Sequence, residues 1–184
     1  MNSLNNLKEM KKMHIIGVIF VIAVGTLLHF VYEWSGENNI AAVFSAVNES
    51  TWEHLKMLFY PMLVFAIAEY FIYGNNLANF VPVKVLSILL GMLTTITLFY
   101  TYTGIIGKNY LTLSILTFVL SILVAYIFSY RNLKSGTKYK SKTAVITGYV
   151  LLVILIICFV IFTFSPPQIG LFYDPSTGGY GKLK

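Results

Sequence analysis

Runs of about 20 apolar residues, separated by short polar stretches, dominate the hydrophobic pattern of this chain. A helix of about 20 residues is about 30 Å long, which matches the thickness of the apolar core of a bilayer. Backbone groups inside lipid find no water, so these segments must satisfy their hydrogen bonds as helices. The pattern predicts an all-α fold, a polytopic transmembrane helical bundle with five membrane-spanning helices at residues 13–34, 52–73, 83–104, 111–130 and 143–164.

Basic residues are distributed unevenly among the segments that join these spans. The N-terminal segment carries three lysines, and the stretch 131–142 carries one arginine and four lysines. The stretch between the first two spans, 35–51, contains no lysine or arginine. Since cytoplasmic loops carry an excess of Lys and Arg, the N-terminus is predicted inside and the C-terminus outside.

The chain divides by composition into two parts. Residues 1–165 form the predicted five-helix transmembrane domain, and residues 166–184 form a tail rich in proline and glycine. The tail also holds aromatic and aliphatic side chains, so we expect an extracytoplasmic, turn-rich segment that packs on the outer face. In the outer loop, the apolar stretch 40–47 predicts a short interfacial or re-entrant helix.

Composition and charge narrow the class of protein further. Hydrophobic residues make up 57% of the chain and charged residues 11%, against about 25% charged in soluble domains, which excludes a soluble globular protein. The single cysteine, Cys158, excludes a disulfide framework within one chain and a cysteine-built metal site. The net charge of +6 is spread over termini and loops. The predicted partner is therefore the lipid bilayer, and no nucleic acid is expected.

Ionisable residues gather where the first two predicted spans meet the outer loop. His29 and Glu33 lie four residues apart and so share a helix face. Ser50 and Glu53 fit a capping box, and Glu53 can pair with Lys56 one turn later. Since ionisable groups in membranes usually face a bundle interior or a cavity, we predict an outer-side polar pocket. Its candidate ligand-binding residues are His29, Glu33, Asn48, Glu49, Trp52, Glu53, His54, Lys56, Tyr173 and Asp174.

Three interpretations of this cluster stay open at the level of the sequence. Carboxylates and imidazoles can bind a divalent metal, with His29, Glu33, Glu49, Glu53 and His54 as ligands. The same groups can form a proton- or cation-linked pocket for a small molecule or a lipid headgroup. They can also form a structural ion-pair knot between the first span, the second span and the tail.

The corresponding functions belong to three classes. The first is a protein that binds or transports a small molecule, ion or lipid headgroup. The second is a metal-dependent membrane hydrolase that acts on a lipid-like substrate, for which the sequence assigns no catalytic residue. The third is a non-catalytic assembly subunit.

Three residues outside this cluster carry further expectations. His14, beside the N-terminal lysines, is interpreted as an interfacial histidine. Glu69 is expected to reach water or to pair with Lys12 or Lys84. Gly25, one turn before His29, predicts a close approach of another helix.

Three motifs carry a resemblance to a known family. The segments HFVYEWSG, NESTWEHLKMLFYP and PPQIGLFYDPSTGGYG resemble those of a family of small, uncharacterised bacterial integral membrane proteins, a domain of unknown function. The resemblance implies a multi-pass protein of the bacterial cytoplasmic membrane and supplies no activity. A fainter likeness to ceramidase-like zinc amidases rests on the mixing of histidine and acidic residues in helices. That likeness is limited by the smaller number of spans and the missing paired-histidine motif.

Overall fold

The computed structural model of the chain describes residues 3–182, and within that range the regular structure is helical. Five of its helices are long and apolar enough to cross a membrane. The predicted all-α, multi-pass architecture is therefore confirmed. The α-helices are α1 Ser3–Trp34, α2 Asn39–Phe44, α3 Thr51–Ile72, α4 Phe80–Ile106, α5 Leu111–Ser135 and α6 Lys142–Phe164, with 3-10 turns at Gly74–Asn76 and Gly170–Phe172.

The helices extend beyond the apolar runs that predicted them. α1 already begins at Ser3, and α5 continues through the basic residues to Ser135. Hydropathy marks where lipid ends, whereas a helix ends where its backbone is capped. α4 and α5 end at Gly107 and Gly136, whose left-handed φ values of 81° and 59° suit glycine.

α3 is the central helix of the bundle. It packs against α1 and α4, and α4 packs in turn against α5 and α6. Leu55, Leu58 and Phe59 on α3 are almost completely buried, whereas Ile146, Val150 and Ile157 on α6 are about half exposed or more. The exposed apolar face of α6 is what a lipid-facing helix requires, because lipid tails solvate it.

A glycine sets the distance between α1 and α3, as its position in the sequence predicted. A Cβ at Gly25 would meet the backbone oxygen of Met57 and the ring of Phe118. The two helix backbones therefore touch at the level of Gly25. This contact brings His29, one turn further along α1, close to the start of α3.

The short helix predicted in the loop after the first span is present as α2. The Asn38 side chain caps it by accepting a hydrogen bond from the Ile40 N–H at 2.7 Å. Ile40 and Phe44 are exposed, whereas Ala42 is completely buried. α2 therefore presents apolar side chains both to the bundle and away from it.

The tail folds back onto the bundle at the end where α1 is connected to α3; we call this the tail end. The Asn48 side chain donates a hydrogen bond to the Gly181 carbonyl at 2.9 Å, and the Lys182 N–H donates to the Thr163 carbonyl at 2.8 Å. Phe172 is buried against Trp52, with ring centroids 5.0 Å apart. The side of the membrane that the tail end faces, and the division at residue 165, stay predictions.

Candidate functional site

Two histidines and one glutamate converge at the tail end. His29 comes from α1, Glu49 from the α2–α3 connection and His54 from the first turn of α3. His29 Nε2 lies 3.7 Å from Glu49 Oε1, and His54 Nε2 lies 3.5 Å from Glu49 Oε2. One ligand atom from each side chain falls within 4.8 Å of the others. We call these three residues the His–Glu–His cluster.

Backbone contacts fix the direction of the His54 ring. His54 Nδ1 lies 2.8 Å from the Ser50 carbonyl oxygen. A carbonyl can only accept, so Nδ1 carries the proton and donates. Nε2 therefore points at Glu49, and the hydrogen bond to a backbone carbonyl is the partner that metal-ligating histidines usually have.

A cleft of about 230 Å³ adjoins the cluster. Its walls come from α1, the α2–α3 connection and the tail, so it is built from segments far apart in sequence. Polar side chains from each segment line it: His29 and Glu33, Asn48 and Glu49, and Asp174, Ser176 and Thr177. Side-chain exposures of 34% for His29 and 49% for Glu49 show that the cleft is open.

Asp174 is the buried charge of the tail. Its Oδ1 accepts hydrogen bonds from the Ser176 N–H at 2.9 Å and the Ser176 hydroxyl at 2.6 Å, and its Oδ2 accepts from the Thr177 hydroxyl at 2.6 Å. Burial alone would raise the pKa of Asp174, but these hydrogen bonds outweigh it and hold the pKa below its ordinary value. The carboxylate is therefore ionised and adds negative charge to one wall of the cleft.

Glu53 and Lys56 form a separate ion pair beneath the cluster. Lys56 Nζ donates to Glu53 Oε2 at 2.5 Å, to the Ala42 carbonyl at 2.8 Å and to the Thr163 hydroxyl at 2.6 Å. Neither side chain is more than 1% exposed. The pair connects α2, α3 and α6, whereas the ion-pair knot suggested by the sequence would tie the first span to the second span and the tail.

The candidate residues thus divide into three groups. His29, Glu49 and His54 form the cluster, while Glu33, Asn48 and Asp174 line the adjoining cleft. Glu53 and Lys56 are paired with each other, Trp52 packs between Phe159 and Phe172, and Tyr173 packs on Tyr180. Sequence reasoning missed Ser176 and Thr177; the available signal was a serine and a threonine two and three residues after an aspartate, which is typical of side-chain-capped turns.

A second buried polar cluster lies at the opposite end of the bundle. Glu69 accepts hydrogen bonds from Lys84 Nζ at 2.5 Å and from the Tyr73 hydroxyl at 2.6 Å. The predicted pairing of Glu69 with Lys84 is confirmed. The interfacial interpretation of His14 is wrong: its side chain is 6% exposed, and its Nε2 lies 3.0 Å from the Ser129 hydroxyl. The ring packs edge-on against Tyr126 and Tyr130 of α5, so His14 is buried between helices, which the apolar run did not reveal.

Comparison with known families gives a match over almost the whole chain. The model of a family of unknown function, DUF6512, matches residues 1–182. No curated protein and no solved structure matches the chain.

Proposed function

The chain belongs to this family of unknown function, and from its geometry we propose that it binds a divalent transition-metal ion in the tail-end cleft. The proposed ligands are His29 Nε2, His54 Nε2 and a Glu49 carboxylate oxygen. Two imidazoles and one carboxylate are a donor set that zinc and related ions prefer. Of the wider set of acids suggested by the sequence, Glu53 is left out because its carboxylate is engaged by Lys56.

The separations within the His–Glu–His cluster carry the proposal. A hydrogen bond between imidazole and carboxylate would bring nitrogen and oxygen to about 2.7–3.2 Å. The observed distances of 3.7 Å and 3.5 Å are longer. Ligand atoms that each lie about 2.0–2.2 Å from one tetrahedral ion are about 3.3–3.6 Å apart. These two distances end on different oxygens of the Glu49 carboxylate, and one ligand atom from each of the three side chains lies within 4.8 Å of the others. Small side-chain rotations would therefore bring the three ligand atoms to the spacing of ligands around one shared cation.

A tetrahedral metal ion with three protein ligands has a fourth coordination position that water or another ligand can occupy. Catalytic and ligand-binding zinc sites keep such an open position, whereas structural zinc sites use four protein ligands. The open cleft beside the cluster gives a small polar ligand or a lipid headgroup access to that position. The protein is thus a metal-dependent binding protein of the membrane in this proposal.

Glu33 favours a second candidate function, hydrolysis of a lipid-like substrate. Its exposed carboxylate lines the same cleft but is not part of the cluster. A metal ion lowers the pKa of bound water, and a nearby carboxylate can accept the proton. Loss of hydrolysis in Glu33→Gln with metal content unchanged would separate this activity from binding alone.

Metal binding is tested on protein that is purified in detergent without a chelator. We expect about one zinc or related ion per chain by elemental analysis, and a tetrahedral absorption spectrum after replacement with cobalt. His54→Gln and Glu49→Gln should each weaken binding of the ion by more than about 100-fold, since loss of an outer partner alone costs 10–100-fold.

Glu37→Gln is the matched control, because Glu37 is an exposed acid of the same end that lies outside the cleft lining. It should bind the ion with unchanged affinity. A folded wild-type chain that takes up no zinc, manganese, cobalt or iron when these are supplied would overturn the proposal.

A further inference from the structure

A second cleft lies on the opposite half of the bundle, between α3, α4 and α6. Its volume is about 200 Å³, and its lining is apolar except for Lys84 and the hydroxyl groups of two tyrosines. The Lys84 ammonium points away to Glu69, with which it is paired at 2.5 Å. Lys84 therefore contributes its aliphatic stem to the wall, and we call this cleft the apolar groove.

The fold keeps the apolar groove deep and open to the side. Gly148 on α6 lies against the backbone of Pro82 on α4, where even a Cβ would sit 3.3 Å from Pro82 Cα. Ala66 and Ile88 form a buried floor, while Ile67 and Tyr149 at the rim are about half exposed. The groove therefore opens on the surface that faces lipid.

An exposed lysine at the start of α6 lies on the same helix face as the groove. Lys142 begins α6 and is exposed, and Tyr149 at the rim follows seven residues later. Seven residues bring the two side chains to within about 20° around the helix and about 10 Å along it. Lys138 and Lys140 are exposed in the preceding loop. The groove thus begins about two helix turns below a group of three lysines.

These dimensions match one leaflet of a bilayer. Leu152, the deepest α6 residue of the groove, is about 15 Å along the helix from Lys142. The hydrocarbon layer of one leaflet is also about 15 Å thick. A lipid with its phosphate at Lys142 would therefore lay an acyl chain along the groove.

We propose that the apolar groove is a binding site for an anionic phospholipid, whose headgroup is held by Lys142 with Lys138 and Lys140. The charge selects the headgroup, because each basic residue near a membrane surface contributes about 1 kcal/mol of attraction to anionic lipid, which is about fivefold in affinity. The apolar groove holds the acyl chain of the lipid. This proposal does not depend on the metal site, which lies at the other end.

Native mass spectrometry of the detergent-purified chain tests this proposal. The probes are phosphatidylglycerol and phosphatidylcholine with identical acyl chains. We expect the wild type to retain phosphatidylglycerol at least about fivefold better. Lys142→Gln should lower that preference about fivefold. Leu152→Trp, which fills the groove, should reduce retention of both lipids.

Two matched controls separate the groove from the general surface. Ile154→Trp adds the same ring to the lipid-facing side of α6 outside the groove, and Lys108→Gln removes an exposed lysine from the other end of the bundle. Both should bind lipid as the wild type does. Equal retention of the two lipids by the wild type, or unchanged retention in Leu152→Trp, would overturn the proposal.

Discussion

A fully buried lysine determines how the tail end is held together. Lys56 has no exposed surface, and its ammonium is satisfied by groups from α2, α3 and α6. A buried charge is tolerated only when it is paired and hydrogen-bonded. These hydrogen bonds therefore join α2, α3 and α6 at one point.

Removing one partner of this pair should destabilise the protein strongly. Lys56→Met leaves the Glu53 carboxylate buried without its counter-ion, and we expect a loss of about 3–5 kcal/mol of stability. The measurement is the midpoint of thermal unfolding in detergent. The double variant Glu53→Leu with Lys56→Met should recover most of the loss. A single variant as stable as the wild type would show that the pair is not needed.

The residue-level features show what a sequence can predict of this site. Ser50 does cap α3 by accepting from the Glu53 N–H, and the Glu53–Lys56 pair was expected from their spacing. In a complete capping box the Glu53 side chain would also accept a hydrogen bond from the Ser50 N–H. Here Asn48 Oδ1 accepts that hydrogen bond instead, at 2.9 Å. Glu53 is thereby released for Val47 and Lys56. Local spacing predicted the Ser50 cap and the Glu53–Lys56 pair, but not the hydrogen bonds that Asn48 and Val47 make here.

At the scale of elements, the contact of α1 with α3 controls the site. The two helices approach at Gly25, where no side chain separates them. His29 reaches Glu49 only because of that approach. The helix spans themselves followed directly from hydropathy, whereas their ends did not. A tail packed on the bundle was expected from its apolar side chains, but the course of its backbone was not. Hydrogen bonds around Asp174 determine the shape of the tail, and the periodicity of hydrophobic residues does not predict them.

A methyl group at Gly25 should therefore weaken both the fold and the site. Gly25→Ala places a Cβ against the Met57 carbonyl, and we expect a loss of about 1–3 kcal/mol from overpacking. Affinity at the proposed metal site should fall too, because α1 must move away from α3. Unfolding midpoints and zinc titration measure the two effects.

Gly104→Ala is the matched control, since nothing lies within 4 Å of its added Cβ. Alanine is the better helix former, so this variant should be as stable as the wild type or up to about 1 kcal/mol more stable. Equal behaviour of the two variants would mean that the α1–α3 contact is not tight.

At the scale of the whole molecule, charge is divided between the two ends of the bundle. The basic segments, residues 8–12 and 131–142, lie at the end opposite the tail. The acids Glu33, Glu37 and Glu49 lie at the tail end with Asp174. By the positive-inside rule, this division predicts the basic end in the cytoplasm and the tail end outside.

Cysteine labelling tests this orientation. Cys158→Ser gives a background without cysteine, since the chain has one. Lys108→Cys should then react with a membrane-impermeant maleimide in intact cells, and Lys138→Cys should react only after permeabilisation. The cysteine-free background controls for unspecific labelling. The reverse pattern would contradict the predicted orientation, and labelling of both sites from outside would contradict the five spans.

The return of the tail to the first two spanning helices has a consequence for biosynthesis. Asp174, Ser176 and Thr177 form one wall of the cleft, and Thr163 completes the shell of Lys56. The ribosome makes these residues after α1 and α3, the helices that they contact. Until they arrive, an inserted chain carries a half-built cleft and an incompletely satisfied ammonium in its core. A chain that stops before Thr163 lacks one partner of the Lys56 ammonium and one wall of the cleft, so we expect it to be less stable than the chain of 184 residues.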